Sequence, residues 1–162
     1  MLPTWENRPE ITANLNNPAF CCELMRVCAK AFALEASANM PFSLSIFTLP
    51  LILPRKNRVT LPKGKATRFH KWINDNEDLK VRFGEHVKAF IPFTKETVMF
   101  GMVHGAFRID AAGSIEVLNS KSPYTSDDPE VKECISKATV VGKMLALAGT
   151  SETIYSLFGL KP

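Results

Sequence analysis

The side chains able to do chemistry are few and scattered. The three histidines are His70, His86 and His104. None has a carboxylate or second histidine three or four residues on, so the one-face spacing of a helical metal site is missing. They read better as surface or interface residues than as ligands or proton carriers. The four cysteines, Cys21, Cys22, Cys28 and Cys134, form no CxxC pair and read as buried, reduced thiols. No GxSxG elbow, GxGxxG loop or complete phosphate loop occurs. The stretch Lys63–Thr67 resembles the end of a phosphate loop, but lacks the upstream strand and the first glycine. The acid pair Asp127 and Asp128 stands at a helix start, where capping accounts for it. These absences lead us to expect a protein that is not an enzyme and uses neither cofactor nor metal.

One charge feature stands out. Pro54 to Lys71 carries Arg55, Lys56, Arg58, Lys63, Lys65, Arg68 and Lys71 and no acid. The chain as a whole has 20 bases and 16 acids, so outside this segment it is net acidic. Three readings fit such a run: a solvated face, a contact to nucleic-acid phosphates, or a dock for an acidic protein partner. Aromatic interleaving is limited to Phe69 and Trp72, whose spacing marks them first as core.

The elements carrying these residues read mainly as helices. Residues 1–18 form an extended arm, with a turn of helix near Glu10–Leu15. Phe20, Leu24, Val27, Cys28, Ala31 and Phe32 then recur at helical spacing, and Glu23, Arg26 and Lys30 form a narrow polar stripe. This predicts a helix over Ala19–Ala36. Asn39–Pro41 is a break. Phe42–Leu53 is apolar nearly throughout; a buried helix is favoured over a core strand, with Pro50 ending or kinking it. Leu61–Gly64 is a loop and Ala66–Asn74 a helix. Leu79, Phe83, Val87 and Phe90 stripe the next helix, which Ile91, Pro92 and Phe93 stop. Thr94 then caps a helix over Lys95–His104, with Val98, Met99, Met102 and Val103 inward.

Alternation at Phe107 and Ile109, then at Ile115 and Val117, across Gly113, predicts a β-hairpin. Helix, tight turn, helix and hairpin give the order of a winged helix-turn-helix over Asp78–Phe90, Thr94–His104 and Ala106–Leu118. Its second helix presents methionines where a DNA reader presents Arg, Lys, Asn or Gln. It therefore suits protein docking better than base reading. A polar loop over Asn119–Ser126 follows. Asp128, Pro129 and Glu130 start a helix reaching Ala148, and Ser151 caps a last one over Glu152–Phe158.

The expected architecture is a single mainly helical domain over residues 1–162, with a winged-helix-like core flanked by further helices. Its parts are the arm (1–18), a helical part with the basic segment (19–75), the winged-helix-like part (76–118) and C-terminal helices (128–158). With 46% hydrophobic and 22% charged residues, the chain can bury a core without staples. No apolar run reaches the roughly 18 residues of a membrane span. The N-terminus lacks the basic and apolar regions of a secretory signal, so a cytoplasmic location is expected.

Several stretches together resemble a known family. The segment from Arg8 to Phe20 (RPEITANLNNPAF) looks like the opening of the middle component of bacterial three-component ABC systems. Met40–Pro54 (MPFSLSIFTLPLILP) resembles that family's apolar second segment, followed as there by a basic run and Leu61-Pro62. Phe90–Gly101 and Thr153–Pro162 are similar to its later landmarks. The likeness covers nearly the whole chain, but it is a pattern of structural residues, with no catalytic signature. It implies an accessory subunit in an anti-phage or anti-plasmid defence locus, of which the Lamassu type is the best-known case. The implied partners are an ABC ATPase related to SMC and Rad50 proteins, an effector such as a nuclease, and double-stranded DNA. On this view Arg55, Lys56, Arg58, Lys63, Lys65, Arg68 and Lys71 face DNA or an acidic patch, and Met99, Met102, Phe47 and Phe158 meet protein partners. The alternative is a free-standing winged-helix DNA-binding regulator.

Overall fold

Helix α1 (Pro18–Ala36) starts where the Asn17 side chain accepts a hydrogen bond from the Ala19 amide at 2.9 Å, with proline in the first turn where no donor is needed. The computed structural model to which it belongs describes residues 2–10, 16–63, 68–118 and 125–161. The expected helical turn near Glu10–Leu15 and the loop over Asn119–Ser126 fall largely outside these. After α1 come strand β1 (Met40–Pro41), a 3-10 helix (Phe42–Phe47), and the short helices α2 (Thr48–Ile52), α3 (Arg55–Arg58) and α4 (Phe69–Asn74). Helix α5 (Glu77–Val103), strands β2 (Phe107–Ile109) and β3 (Ser114–Val117), and helices α6 (Pro129–Leu147) and α7 (Ser151–Leu157) complete the order. The chain is mainly helical, with one small antiparallel sheet ordered β1-β3-β2.

The expected hairpin is present. Asp110 Oδ1 accepts from the amides of Ala112 and Ser114 at 2.9 Å, and Gly113 takes the left-handed conformation (φ +78°) that closes the turn. The break expected at Asn39–Pro41 instead supplies a third strand, Met40 pairing with Ile115. Asn39 reinforces it by donating to Asp110 Oδ2 at 2.9 Å. Phe42–Leu53 is helical as favoured, but its first half winds as a 3-10 helix. Pro50 falls in the first turn of α2, where its missing N–H costs nothing, so it does not end the helix. The last helix is capped by Thr150 rather than Ser151.

The tight turn expected at Ile91–Phe93 does not exist. Residues 77–103 form one helix of 27 residues with Pro92 inside it. A proline there removes one hydrogen bond and costs about 3 kcal/mol. Burying each of Phe83, Val87 and Val98 on the same helix returns about 1.5–3 kcal/mol, which outweighs it. Continuity fixes the helical phase. At about 100° per residue, Leu79, Phe83, Val87, Thr94, Thr97, Val98 and Gly101 all fall in one sector of about 100°, and these are the buried residues. Thr94, expected as a cap, is therefore interior. Met99, Met102 and Val103, expected inward, are exposed instead.

The core lies between α1, α5 and α6. The N-terminal ends of α1 and α6 line one cleft, around Asn17, Phe20, Asp128 and Val131. Farther along, Gly142 of α6 meets residues 28–32 of α1, so the two helices run parallel. A Cβ on Gly142 would stand 2.2 Å from the Cys28 carbonyl oxygen and 3.0 Å from the Phe32 nitrogen. Glu23 and Arg26, expected on a polar stripe, are buried on α1 and pair with each other at 2.7 and 2.8 Å. An aromatic cluster seats α7. Phe158 packs at a tilt against Phe83 with centroids 4.2 Å apart, stacks on Phe47 at 5.4 Å and meets Phe69 edge-on at 5.5 Å. Tyr155 Oη donates to the Ser43 carbonyl at 2.8 Å.

Gly142→Ala is expected to destabilise the fold by about 1–3 kcal/mol, because a backbone oxygen cannot step aside. Alanine's helix propensity alone would stabilise by about 1 kcal/mol. A urea melt reads the sign directly: a raised midpoint would mean that the two helix backbones can part.

Candidate functional site

The basic segment divides on folding. Helix α3 begins after Pro54, whose carbonyl accepts from the Asn57 and Arg58 amides at 2.9 Å. Arg55 and Lys56 lie on its outer side and are exposed. Arg58 turns inward and is 1% exposed. Its Nη1 donates to the carbonyls of Ile52 and Leu53 at 3.0 Å, capping the end of α2. Its Nε donates to Glu133 at 2.9 Å and its Nη2 to Glu130 at 2.5 Å, both in the first turns of α6. Burial disfavours its charge, but the two carboxylates outweigh burial and hold its pKa above the ordinary value. Arg58 is therefore a structural cation, not an outward-facing contact.

Lys63, Arg68 and Lys71 are exposed, and Lys65 lies outside the described residues. Folding also brings acids to the run. Arg55 shares a shallow depression with Glu130 and Glu133. Lys56 borders a cleft of about 460 Å³ that also holds Asp75, Glu77 and Asp78. The segment is thus a mixed surface at its α3 end and cationic only beyond Leu61. Lys137 of α6 closes the intervening loop, donating to the carbonyls of Leu61 and Pro62 at 2.8 Å. Burial lowers the pKa of this ammonium.

The apolar candidates divide as well. Phe47 and Phe158 are 0% and 5% exposed and belong to the aromatic cluster of the core, which corrects their expected place at an interface. Met99 and Met102 are 68% and 48% exposed, and Val103 beside them 81%. The first and last of these line an open groove of about 740 Å³ together with Ile91, Pro92 and Phe100. The N-terminal segment lies at its edge, where Arg8 grips Glu96 of α5 through both nitrogens at 2.6 and 2.8 Å. Sequence reading placed Met99 and Met102 on an interface but missed Val103, Arg8 and Glu96. The ion pair spans 88 positions, so no local pattern could reveal it.

The four cysteines are free and buried, as expected. Burial pushes the thiols of Cys21 and Cys28 up to about 12. His86 meets the buried Asn57 at 3.3 Å, and His104 packs on the Phe100 ring with centroids 4.1 Å apart. Among the described residues no three His, Cys, Asp or Glu side chains gather as a metal site would require. No helix there is long and apolar enough to cross a membrane.

Comparison with known proteins places the chain in a family. Residues 5–162 match the model of the ABC-three component (ABC-3C) system Middle Component 3. The chain belongs to that family. No curated protein and no solved structure matches it.

Two outcomes follow from the buried groups. Arg58→Ala should destabilise by about 3–5 kcal/mol, because it uncaps α2 and strands its partners. Arg55→Ala should change stability by less than about 0.5 kcal/mol. Equal effects in a urea melt would refute the division of the basic run. Cys21 and Cys28 should resist iodoacetamide in the native protein and react once it is unfolded. Their pKa is raised from 9.0 in the folded state, so their contribution to stability is complete below pH 9 and is lost as pH climbs toward about 12. Melts across that range that show no loss would contradict the burial.

Proposed function

We propose that this middle component is a non-catalytic adaptor. In this reading it joins an ABC ATPase of the SMC/Rad50 type to an effector within a bacterial anti-phage or anti-plasmid complex, as in the Lamassu type, and works in the cytoplasm. The observation that carries the reading is the outward face of α5 in a chain whose family is described as the middle component of a three-component system. Large apolar side chains on a helix that already has a full buried face suit a protein partner. Lys63, Arg68 and Lys71, with Lys65 between them, are the cations proposed to meet DNA or an acidic patch. Phosphates need no more specific geometry than that. The free-standing winged-helix regulator has less to support it, because an unbroken α5 offers no recognition helix set off by a turn.

The test is co-expression with the other two components of its system, followed by size-exclusion chromatography at micromolar concentration. Co-elution with at least one is expected. Elution alone, or turnover of a substrate by the isolated chain, would sink the adaptor reading. Charge reversal at Lys63, Arg68 and Lys71 together should weaken any DNA binding and flatten its dependence on salt.

A further inference from the structure

Helix α5 uses one side for the core and leaves the other uncovered. Along the uncovered side, Ile91, Pro92, Met99, Phe100 and Val103 form an apolar floor, with Leu2 closing one edge. From Ile91 to His104 the groove follows the helix for roughly 20 Å. Its charges are arranged around this floor. The one carboxylate lining it, Glu96, is neutralised by the bidentate pair with Arg8. Lys95, on the rim, has no ion pair among the described residues. Lys88 lies two turns before Lys95 on the same side of the helix, held only by an exposed pair with Glu85 at 3.1 Å. The groove is thus apolar within and cationic at its border.

We propose that this groove docks an amphipathic helix from another component of the three-component system, apolar along one side and flanked by aspartate or glutamate. The inference rests on the adaptor reading and specifies the partner's chemistry. A helix fits because the groove offers side chains and no open strand edge, and its length matches three to four turns (roughly 20 Å). Acidic flanks fit because Lys95 lines the groove without an ion pair among the described residues, and Lys88, held only by its exposed pair with Glu85, extends positive charge along the same side. A second copy of this chain fits worse, since a two-fold contact would set the same cations against each other.

The experiment titrates the full chain with two synthetic helical peptides that share a leucine face, one flanked by glutamates and the other by lysines. The glutamate-flanked peptide should bind about tenfold more tightly, and added salt should narrow the gap. Met99→Asp and Val103→Asp should each weaken it about tenfold, while Lys143→Ala on distant α6 should leave it unchanged. Circular dichroism checks that these variants, all at exposed positions, still fold. Equal affinity for the two peptides, or undiminished binding by both aspartate variants, overturns the proposal. Self-association that Met99→Asp abolishes also overturns it, by giving the groove to a second copy. A parallel co-purification separates the two readings. If the wild type and both variants retain the partner equally, the groove assignment falls and the adaptor reading stands. If the wild type retains no partner, the adaptor reading falls whatever the peptides do.

Discussion

The guanidinium of Arg58 ties two adjacent short helices to a third that is more than seventy positions away. It closes the carbonyl end of α2, anchors its own helix α3, and meets the first two turns of α6 through Glu130 and Glu133. Burying such a charge costs several kcal/mol and is tolerated only when every donor finds an acceptor. Here each of its three nitrogens has one. The consequence is mutual dependence: the short helices after the sheet's first strand hold their place only while α6 presents its acids. Lys137, one turn beyond Glu133, repeats the arrangement on a smaller scale by holding the loop at Leu61 and Pro62. The basic segment is therefore structural at Arg58, which is buried against α6, and external at Arg55, Lys56, Lys63, Arg68 and Lys71.

The second constraint is the phase of α5. A helix that restarted at Thr94 could have turned its methionines in any direction. Because it runs through Pro92 unbroken, the stripe begun at Leu79 dictates every later position. Thr97 and Gly101 go inward, and Gly101 sits so close under the Phe107 ring that a Cβ would stand 2.3 Å from it. The same phase sends Met99 and Val103 outward. The buried stripe and the exposed apolar face are thus two results of one helix that keeps its phase through Pro92.

Much of this was legible in the sequence. The cap at Asp128–Pro129, the alternation around Gly113 and the long apolar helices all rest on neighbours within a few positions. The failures are equally instructive. Ile91-Pro92-Phe93 read as a stop because propensity is local, whereas the burial that overrides it comes from other elements. Arg58 looked like its neighbours Arg55 and Lys56, since nothing nearby signals that acids 72 and 75 positions away will claim it. Phe47 and Phe158 could not be told from surface aromatics, because hydrophobicity does not say which apolar face is covered. Met99 and Met102 were read both as inward and as facing a partner; they are exposed, and only the phase of the whole helix decides that.

The parallel packing of α1 against α6 has a bearing on biogenesis. Cys28 and Gly142 touch, yet more than a hundred residues of chain lie between them. A ribosome adding roughly 5–20 residues per second leaves the greasy side of the first helix bare for several seconds before its mate emerges from the exit tunnel. Until α6 is made, the side of α1 that packs against Gly142 lacks that cover, and a nascent chain with such a face exposed is prone to aggregate.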